Sequence, residues 1–288
     1  MKIGLSLPAS GDRGGDGATW AQLERLARLA EDGGADSLWL ADHFFYRDEM
    51  VEIGLHEAFT VLTAVAAVTS RVLVGTLVAA TSFRSAGNLA KIAATLDLVS
   101  DGRLILGLGC GWHEAEYKAF GYPFDHRVGR FEEVVSAVRS LLHGERVTVA
   151  GKWLELDDAV LLPRPAHDVP ILVAADGPRM LEITARFADA WQAAWFGPPD
   201  EGFRNGRRSL LEACEAVGRS RPIEIFAGVD VNNEDVDDNP RLPIDASAVA
   251  EGLAAWAEEG VDHVQLRVHP ATYSNFEIAL DDISRFRG

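Results

Sequence analysis

The sequence is poor in cysteine, methionine and tyrosine, and short of positive charge. Among 288 residues there are two cysteines, three methionines and four tyrosines. Two thiols, Cys110 and Cys214, allow at most one disulfide, which excludes a disulfide-stapled scaffold. Only 27 Lys and Arg face 44 Asp and Glu, a net charge of −17. DNA, RNA and anionic lipid all repel such a chain, and no long run of Lys or Arg interrupts it. Nucleic-acid and membrane partners are therefore not expected. No apolar run reaches the length of a membrane span. Residues 1–8 read as a short strand without the apolar core of a signal peptide. The expectation is a cytoplasmic protein with a small-molecule partner. The histidines form no HxH pair, and the HExxH pattern that His113-Glu114 would open meets Tyr117 where its second His belongs, so no catalytic metal is expected. No GxSxG serine elbow occurs either.

What is present is 48% hydrophobic and 25% charged residues, proportions of a folded domain. Short apolar runs alternate with amphipathic ones from end to end. Strands are expected at residues 2–7, 37–41, 72–79, 103–108, 170–174, 190–194, 223–229 and 263–268. Helices are expected between them. Thr19 and Gln22 have capping-box spacing, and Leu23, Leu26, Ala27 and Ala30 share a helical face that Gly33-Gly34 ends. Further helices fall near residues 58–69, 88–100, 128–143, 179–187 and 201–217. Val249, Leu253, Trp256 and Ala257 mark another, and the last covers 275–286. The alternation breaks at residues 144–165, where a small hairpin turns around Ala150-Gly151-Lys152. Residues 11–17 and 232–243 read as loops. Eight βα units without a dividing linker imply a single (β/α)8 TIM barrel over residues 1–288, with a small insertion before strand five. A doubly wound sheet is the alternative.

In such a barrel, chemistry belongs at the C-terminal ends of the strands. Asp42-His43 follows the second strand and is the first catalytic candidate; imidazole moves protons near neutral pH. Phe83-Arg84, after the third strand, offers either a contact for an anionic group or an ordinary surface cation. Gly107-Leu108-Gly109-Cys110-Gly111-Trp112 follows the fourth strand. Its spacing does not match the dinucleotide fingerprint, whose third Gly falls one place later. Glycines here let something flat approach the strand end, or simply make a tight turn. Cys110 has no evident base partner and reads as a packed thiol. Ala175-Asp176-Gly177-Pro178-Arg179 joins the fifth strand to a helix, where free N–H groups and Arg179 make an anion site unless Asp176 merely caps the helix. Trp112, Trp191 and Trp195 lie near strand ends and either wall a pocket or pack the barrel.

Several of these stretches occur in a familiar order: Ala41-Asp42-His43-Phe44, Val74-Gly75-Thr76-Leu77-Val78, Ser100-Asp101-Gly102-Arg103, Leu106-Gly107-Leu108-Gly109-Cys110-Gly111-Trp112, and Ala119-Phe120-Gly121-Tyr122-Pro123-Phe124 with Arg127 and Arg130. Together they resemble the bacterial luciferase-like monooxygenase family, in particular the oxidoreductases that use the deazaflavin coenzyme F420. The resemblance covers residues 1–195. It implies a (β/α)8 barrel, a homodimer, and hydride transfer between F420 and a small organic substrate. Asp42 and His43 would stand beside the coenzyme ring, with His43 handling a proton. Leu77, Val78 and Ala79 would buttress the ring through a cis Leu77-Val78 bond. Gly109, Cys110, Gly111 and Trp112 would run along the ring and its side chain. Ala175, Asp176, Gly177 and Arg179 would hold the phosphate, and the 144–165 insertion would help cover the pocket. An FMN-dependent monooxygenase and a non-catalytic flavin-binding barrel are the alternatives. Two departures matter. Sugar-phosphate dehydrogenases of this branch have Glu about where Trp112 stands and Trp about where Arg47 stands, which argues against the same substrate.

Overall fold

Parallel strands need long crossovers, and the amphipathic runs between them supply helices for the purpose. The computed structural model describes residues 1–8, 18–47, 52–232, 240–245 and 247–288. The expected loop at 11–17 and most of the one at 232–243 lie outside these residues. In chain order the elements are β1 (Lys2–Ser6), α1 (Trp20–Asp32), β2 (Ser37–Leu40), β3 (Phe45–Arg47), β4 (Glu52–Gly54), α2 (Ala58–Val68), β5 (Leu73–Thr76), β6 (Ala79–Ala80), α3 (Ala86–Ser100) and β7 (Leu104–Gly109). Then come α4 (Glu114–Phe120), α5 (Arg127–Leu142), β8 (Val147–Ala150), β9 (Glu155–Ala159), β10 (Ile171–Ala174), α6 (Pro178–Phe187), β11 (Ala190–Phe196), α7 (Glu201–Ala216), β12 (Glu224–Asn232), α8 (Ala248–Glu258), β13 (His263–His269) and α9 (Tyr273–Arg287).

Eight strands run parallel in the order β10-β11-β12-β13-β1-β2-β5-β7, and β7 pairs back onto β10 to close the ring. The expected (β/α)8 barrel is thus observed. The extra strand β6 lies outside the ring and pairs with β7.

Local chemistry starts the helices where the sequence marks them. The Thr19–Gln22 capping box forms in full, and Leu23, Leu26, Ala27 and Ala30 are buried on one face of α1. On α8, Val249, Leu253 and Trp256 are buried, but Ala257 is exposed and leaves the expected stripe. The insertion is the expected hairpin, β8 against β9. Glu133 of α5 ties it to the barrel by accepting the N–H groups of Lys152, Trp153 and Leu154 at 2.9, 2.9 and 2.8 Å. Three short elements were not anticipated: the β3–β4 hairpin, β6 and α4. Each is too brief to show a hydrophobic period.

The core has two parts. Outward-facing strand residues pack against the helices, as Trp191 does against Phe203 of α7. Inside the barrel, Trp39 forms a plug with Ile105, Leu172, Ala190 and Phe226. Strand period two then fixes which later residues face the interior and which reach the mouth.

Candidate active site

The segment leaving β2 carries Ala41, Asp42 and His43 to the C-terminal end of the barrel. His43 places Nδ1 2.8 Å from Glu116 Oε2. Glu116 lies on α4 with its side chain only 1% exposed, whereas His43 is 23% exposed. The other carboxylate oxygen, Oε1, accepts the Phe44 and Phe45 backbone N–H groups at 2.6 and 3.3 Å. A carboxylate already taking two N–H groups is an acceptor for the ring as well. His43 therefore donates through Nδ1 and carries its lone pair on Nε2. Glu116 was not singled out from the sequence, where nothing separates it from Glu114.

Asp42 has a different environment. It is buried, receives both terminal nitrogens of Arg84 at 2.7 and 2.9 Å, and accepts the Ala80 N–H at 3.2 Å. Arg84 is buried too and reaches Glu57, the N-cap of α2. Burial would lower the guanidinium pKa, but the Asp42 and Glu57 carboxylates outweigh it and leave it above the ordinary value. Arg84 is thus neither an anion contact nor a surface cation. It fastens the segment after β2 to that after β5.

That second segment contains Leu77, Val78 and Ala79. The Leu77-Val78 peptide bond is cis, and so is Ala194-Trp195 at the end of β11, which the sequence did not suggest. Gly109 lies directly beside the Leu77-Val78 bond: a Cβ there would stand 2.8 Å from Val78 Cγ2. Gly111 has φ +72, and a Cβ would meet the Tyr117 hydroxyl at 1.8 Å, so only glycine fits. Tyr117 donates to the Cys110 carbonyl at 3.0 Å, and burial pushes its phenol up to about 12. Burial also raises the Cys110 thiol, with Arg127 opposing, so Cys110 is a packed thiol and not a poised nucleophile.

Trp112 is 59% exposed and forms a rim of rings with its neighbours. Its centroid is 5.6 Å from His43, 6.0 Å from Tyr46 and 5.2 Å from His113, and Tyr46 stacks on His113. Of the other tryptophans, Trp191 is buried and donates to the Ala175 carbonyl at 2.8 Å, a packing role. Trp195 lies under Arg267, 4.0 Å from guanidinium to ring centre.

The loop after β10 starts α6 with Gly177 as N-cap and Pro178 in the first turn. No side chain caps that start, so Asp176 does not satisfy the helix; it is exposed, as are Gly177 and Arg179. A cavity of about 250 Å³ opens beside it, lined by His126, Arg127, Trp153 and Arg179 among others. His126 is the N-cap of α5 and likewise makes no side-chain cap bond. Arg127 donates to the Gly111 carbonyl, and Arg179 pairs with Glu132 at 3.0 Å. Two helix starts without side-chain caps and two arginines thus meet at this cavity. The insertion contributes Trp153 to it. Among the described residues, no group of three or more His, Cys, Asp or Glu is placed to hold a metal ion.

The model of the luciferase-like monooxygenase family matches residues 1–241. The chain belongs to that family. It is 32% identical over 253 residues to the F420-dependent glucose-6-phosphate dehydrogenase of Amycolatopsis mediterranei, covering 82% of this chain and 74% of the relative. It is 33% identical over 204 residues to the 5,10-methylenetetrahydromethanopterin reductase of Methanolobus tindarius, covering 71% of this chain and 58% of that protein. In structure it resembles an F420-dependent secondary alcohol dehydrogenase solved with an F420-acetone adduct, with a TM-score of 0.84 over 100% of this chain and 99% of the other. The sequences of that pair are 20% identical, so this likeness shows the fold. Within the luciferase-like fold, His43, the Leu77–Ala79 and Gly109–Trp112 segments and the cavity at Arg127 and Arg179 all stand at the C-terminal ends of strands.

Proposed function

We propose that this member of the luciferase-like family is an oxidoreductase that moves a hydride between coenzyme F420 and a small organic substrate. The observation that carries the reading is His43, held by the buried Glu116 with Nε2 left for proton transfer, in a barrel whose neighbouring loops offer an anion site. Relatives named as F420-dependent enzymes support the choice of coenzyme.

The residues present fit such a group. Arg127, Arg179 and the free N–H groups at the starts of α5 and α6 would hold its phosphate-bearing tail. Gly109 and Leu77–Val78 would lie along the ring, with Cys110, Gly111 and Trp112 beside them. When bound, the coenzyme supplies a two-electron centre that accepts or donates hydride. The chain supplies position and a proton path. As an alcohol carbon loses hydride, His43 Nε2 takes the hydroxyl proton; in the reverse direction it returns that proton to the carbonyl oxygen. Asp42 is a positioning residue in this scheme, holding Arg84 and the Ala80 backbone. We take residues 1–288 as one functional unit that works as a cytoplasmic homodimer on a small molecule, without nucleic acid or membrane. No helix among the described residues is long and apolar enough to cross a membrane, and Cys110 and Cys214 are free thiols.

The test is to titrate the protein with F420 and, separately, with FMN, following fluorescence and melting temperature. Saturable F420 binding is expected, weakened by Arg127→Ala and Arg179→Ala. Tight FMN binding without an F420 response would overturn the reading in favour of a flavin monooxygenase. His43→Ala is expected to lower kcat by about 10²–10⁴ while leaving F420 affinity within about twofold.

A further inference from the structure

The barrel interior around the Trp39 plug carries buried polar atoms without a hydrogen-bond partner among the described residues. Trp39 meets the rings of Phe226 and His263 at centroid distances of 6.2 and 5.7 Å, so these side chains point to the barrel axis. A Cβ on Gly4 would strike Ser37 and Trp39, which puts Gly4 on the same inner surface. Two residues beyond Gly4, His263 and the plug residue Ala190, on the same face and nearer the mouth, stand Ser6 of β1, Gln265 of β13 and Gln192 of β11. Gln192 and Gln265 are 2% and 0% exposed. Ser6 Oγ, Gln192 Oε1, and both Oε1 and Nε2 of Gln265 have no hydrogen-bond partner among the described residues. The remaining amide, Gln192 Nε2, donates to the Ala193 carbonyl at 2.8 Å. Orphaned polar atoms on three neighbouring inward positions are costly to keep and uncommon in a folded core.

Their position and chemistry say what they receive. The ring order sets β13 opposite β7 and β1 opposite β10. The residues assigned to the coenzyme follow β5, β7 and β10, so Ser6 and Gln265 lie on the other wall of the mouth, and Gln192, on β11 beside β10, adjoins the coenzyme strands. It presents a hydroxyl, two amide carbonyls and an amide NH₂, all uncharged. The next inward residue above Gln265 is Arg267, whose charge is taken up by Asp230 through two bonds of 2.5 and 2.7 Å.

We propose that Ser6, Gln192 and Gln265 form the binding floor for the uncharged, hydrogen-bonding end of the substrate, an alcohol, ketone or carboxamide and not a phosphate or carboxylate. The proposal rests on the reading of the barrel mouth as the active site.

The test uses Gln265→Met and Gln192→Met, which keep side-chain length but remove hydrogen bonding, together with Ser6→Ala. Each variant and the wild type are titrated with F420, then with cyclohexanol, cyclohexanone and benzamide as neutral probes and glucose 6-phosphate as the anionic one, following coenzyme fluorescence and melting temperature. The wild type is expected to bind at least one neutral probe and to ignore the anion. Gln265→Met should lose probe affinity by about tenfold or more while F420 affinity stays within about twofold. Ligand-free melting temperatures should hold or rise, since the substitutions remove orphaned atoms. Loss of F420 affinity in the glutamine variants would assign the floor to the coenzyme and overturn the proposal. So would probe binding that the substitutions leave unchanged, or a wild type that binds no neutral probe or prefers the anion. If the wild type binds no F420, the function reading fails by itself, and the same probe titration on coenzyme-free protein still decides the fate of the floor.

Discussion

Glu116 decides which nitrogen of His43 is available. With three N–H groups directed at one buried carboxylate, the imidazole must donate at Nδ1 and present a lone pair at Nε2. Gln is nearly the same shape, and its carbonyl still accepts from Phe44 and Phe45, but its NH₂ then faces His43. The imidazole must accept at Nδ1 and carry its proton on Nε2, the wrong form for a base. Glu116→Gln is therefore expected to cut kcat by about 10²–10⁴ with melting temperature nearly unchanged. The pH profile of kcat/KM should lose or shift its basic-form limb, a readout that a purely structural Glu116 would not move. An unaltered profile with a lowered melting temperature would refute the positioning role. His43 was legible in the sequence because it follows a strand that ends at a barrel mouth. Glu116 was not, because α4 is seven residues long and too short for periodicity to show which of its two acidic residues turns inward.

At the scale of elements, Arg84 joins three pieces that strand pairing alone does not fix: the turn after β2, the segment around β6, and the start of α2. Its guanidinium is buried between Asp42 and Glu57 and lies over the Phe59 ring, 4.7 Å from its centre. Removing the cation leaves Asp42 buried and uncompensated. Arg84→Met should destabilise the protein by about 3–5 kcal/mol in urea unfolding. Glu57 is 41% exposed, so Glu57→Gln should cost only about 0–1 kcal/mol. Similar costs for the two variants would show that Asp42 is not dependent on Arg84. The sequence marked the strands, most helices and the β8–β9 hairpin to within a few residues, since those segments carry period, caps and turn residues. It did not mark this ion-pair cluster. Asp42, Glu57 and Arg84 are far apart in the chain, and nothing local distinguishes a buried pair from surface charges.

Ring closure belongs to the whole molecule. Eight alternations predict a barrel, but which strand residues face the axis follows only once β7 meets β10. His263 illustrates the consequence. As the first residue of β13 it reads as a strand-edge polar group, yet closure drives it under Trp39. Trp39 Nε1 donates to Ser37 Oγ at 2.7 Å, and Ser37 Oγ lies 2.7 Å from His263 Nε2. The serine proton is then directed at Nε2, which keeps the ring neutral. Burial first, then the nearby Lys2 and N-terminal charges, lowers the His263 pKa from 6.5 to about 3. The sign of the pH effect follows. As pH falls below 6.5 the unfolded chain takes up a proton here and the folded protein does not until about 3. Stability is fully present above 6.5 and is lost across that window, by about 1.4 kcal/mol per pH unit from this one group. Glu31, Glu57 and Glu133 have values below their ordinary 4.5, so their contributions are lost only at more acid pH. Denaturant unfolding of the wild type between pH 7 and 4.5 should therefore show declining stability before the contributions of these three glutamates are lost. His263→Gln should be flatter over the same range, whatever its absolute stability. Parallel slopes for the two proteins would mean that His263 is protonated in the folded barrel, and that the Trp39 plug is wetter than its closed ring of contacts implies.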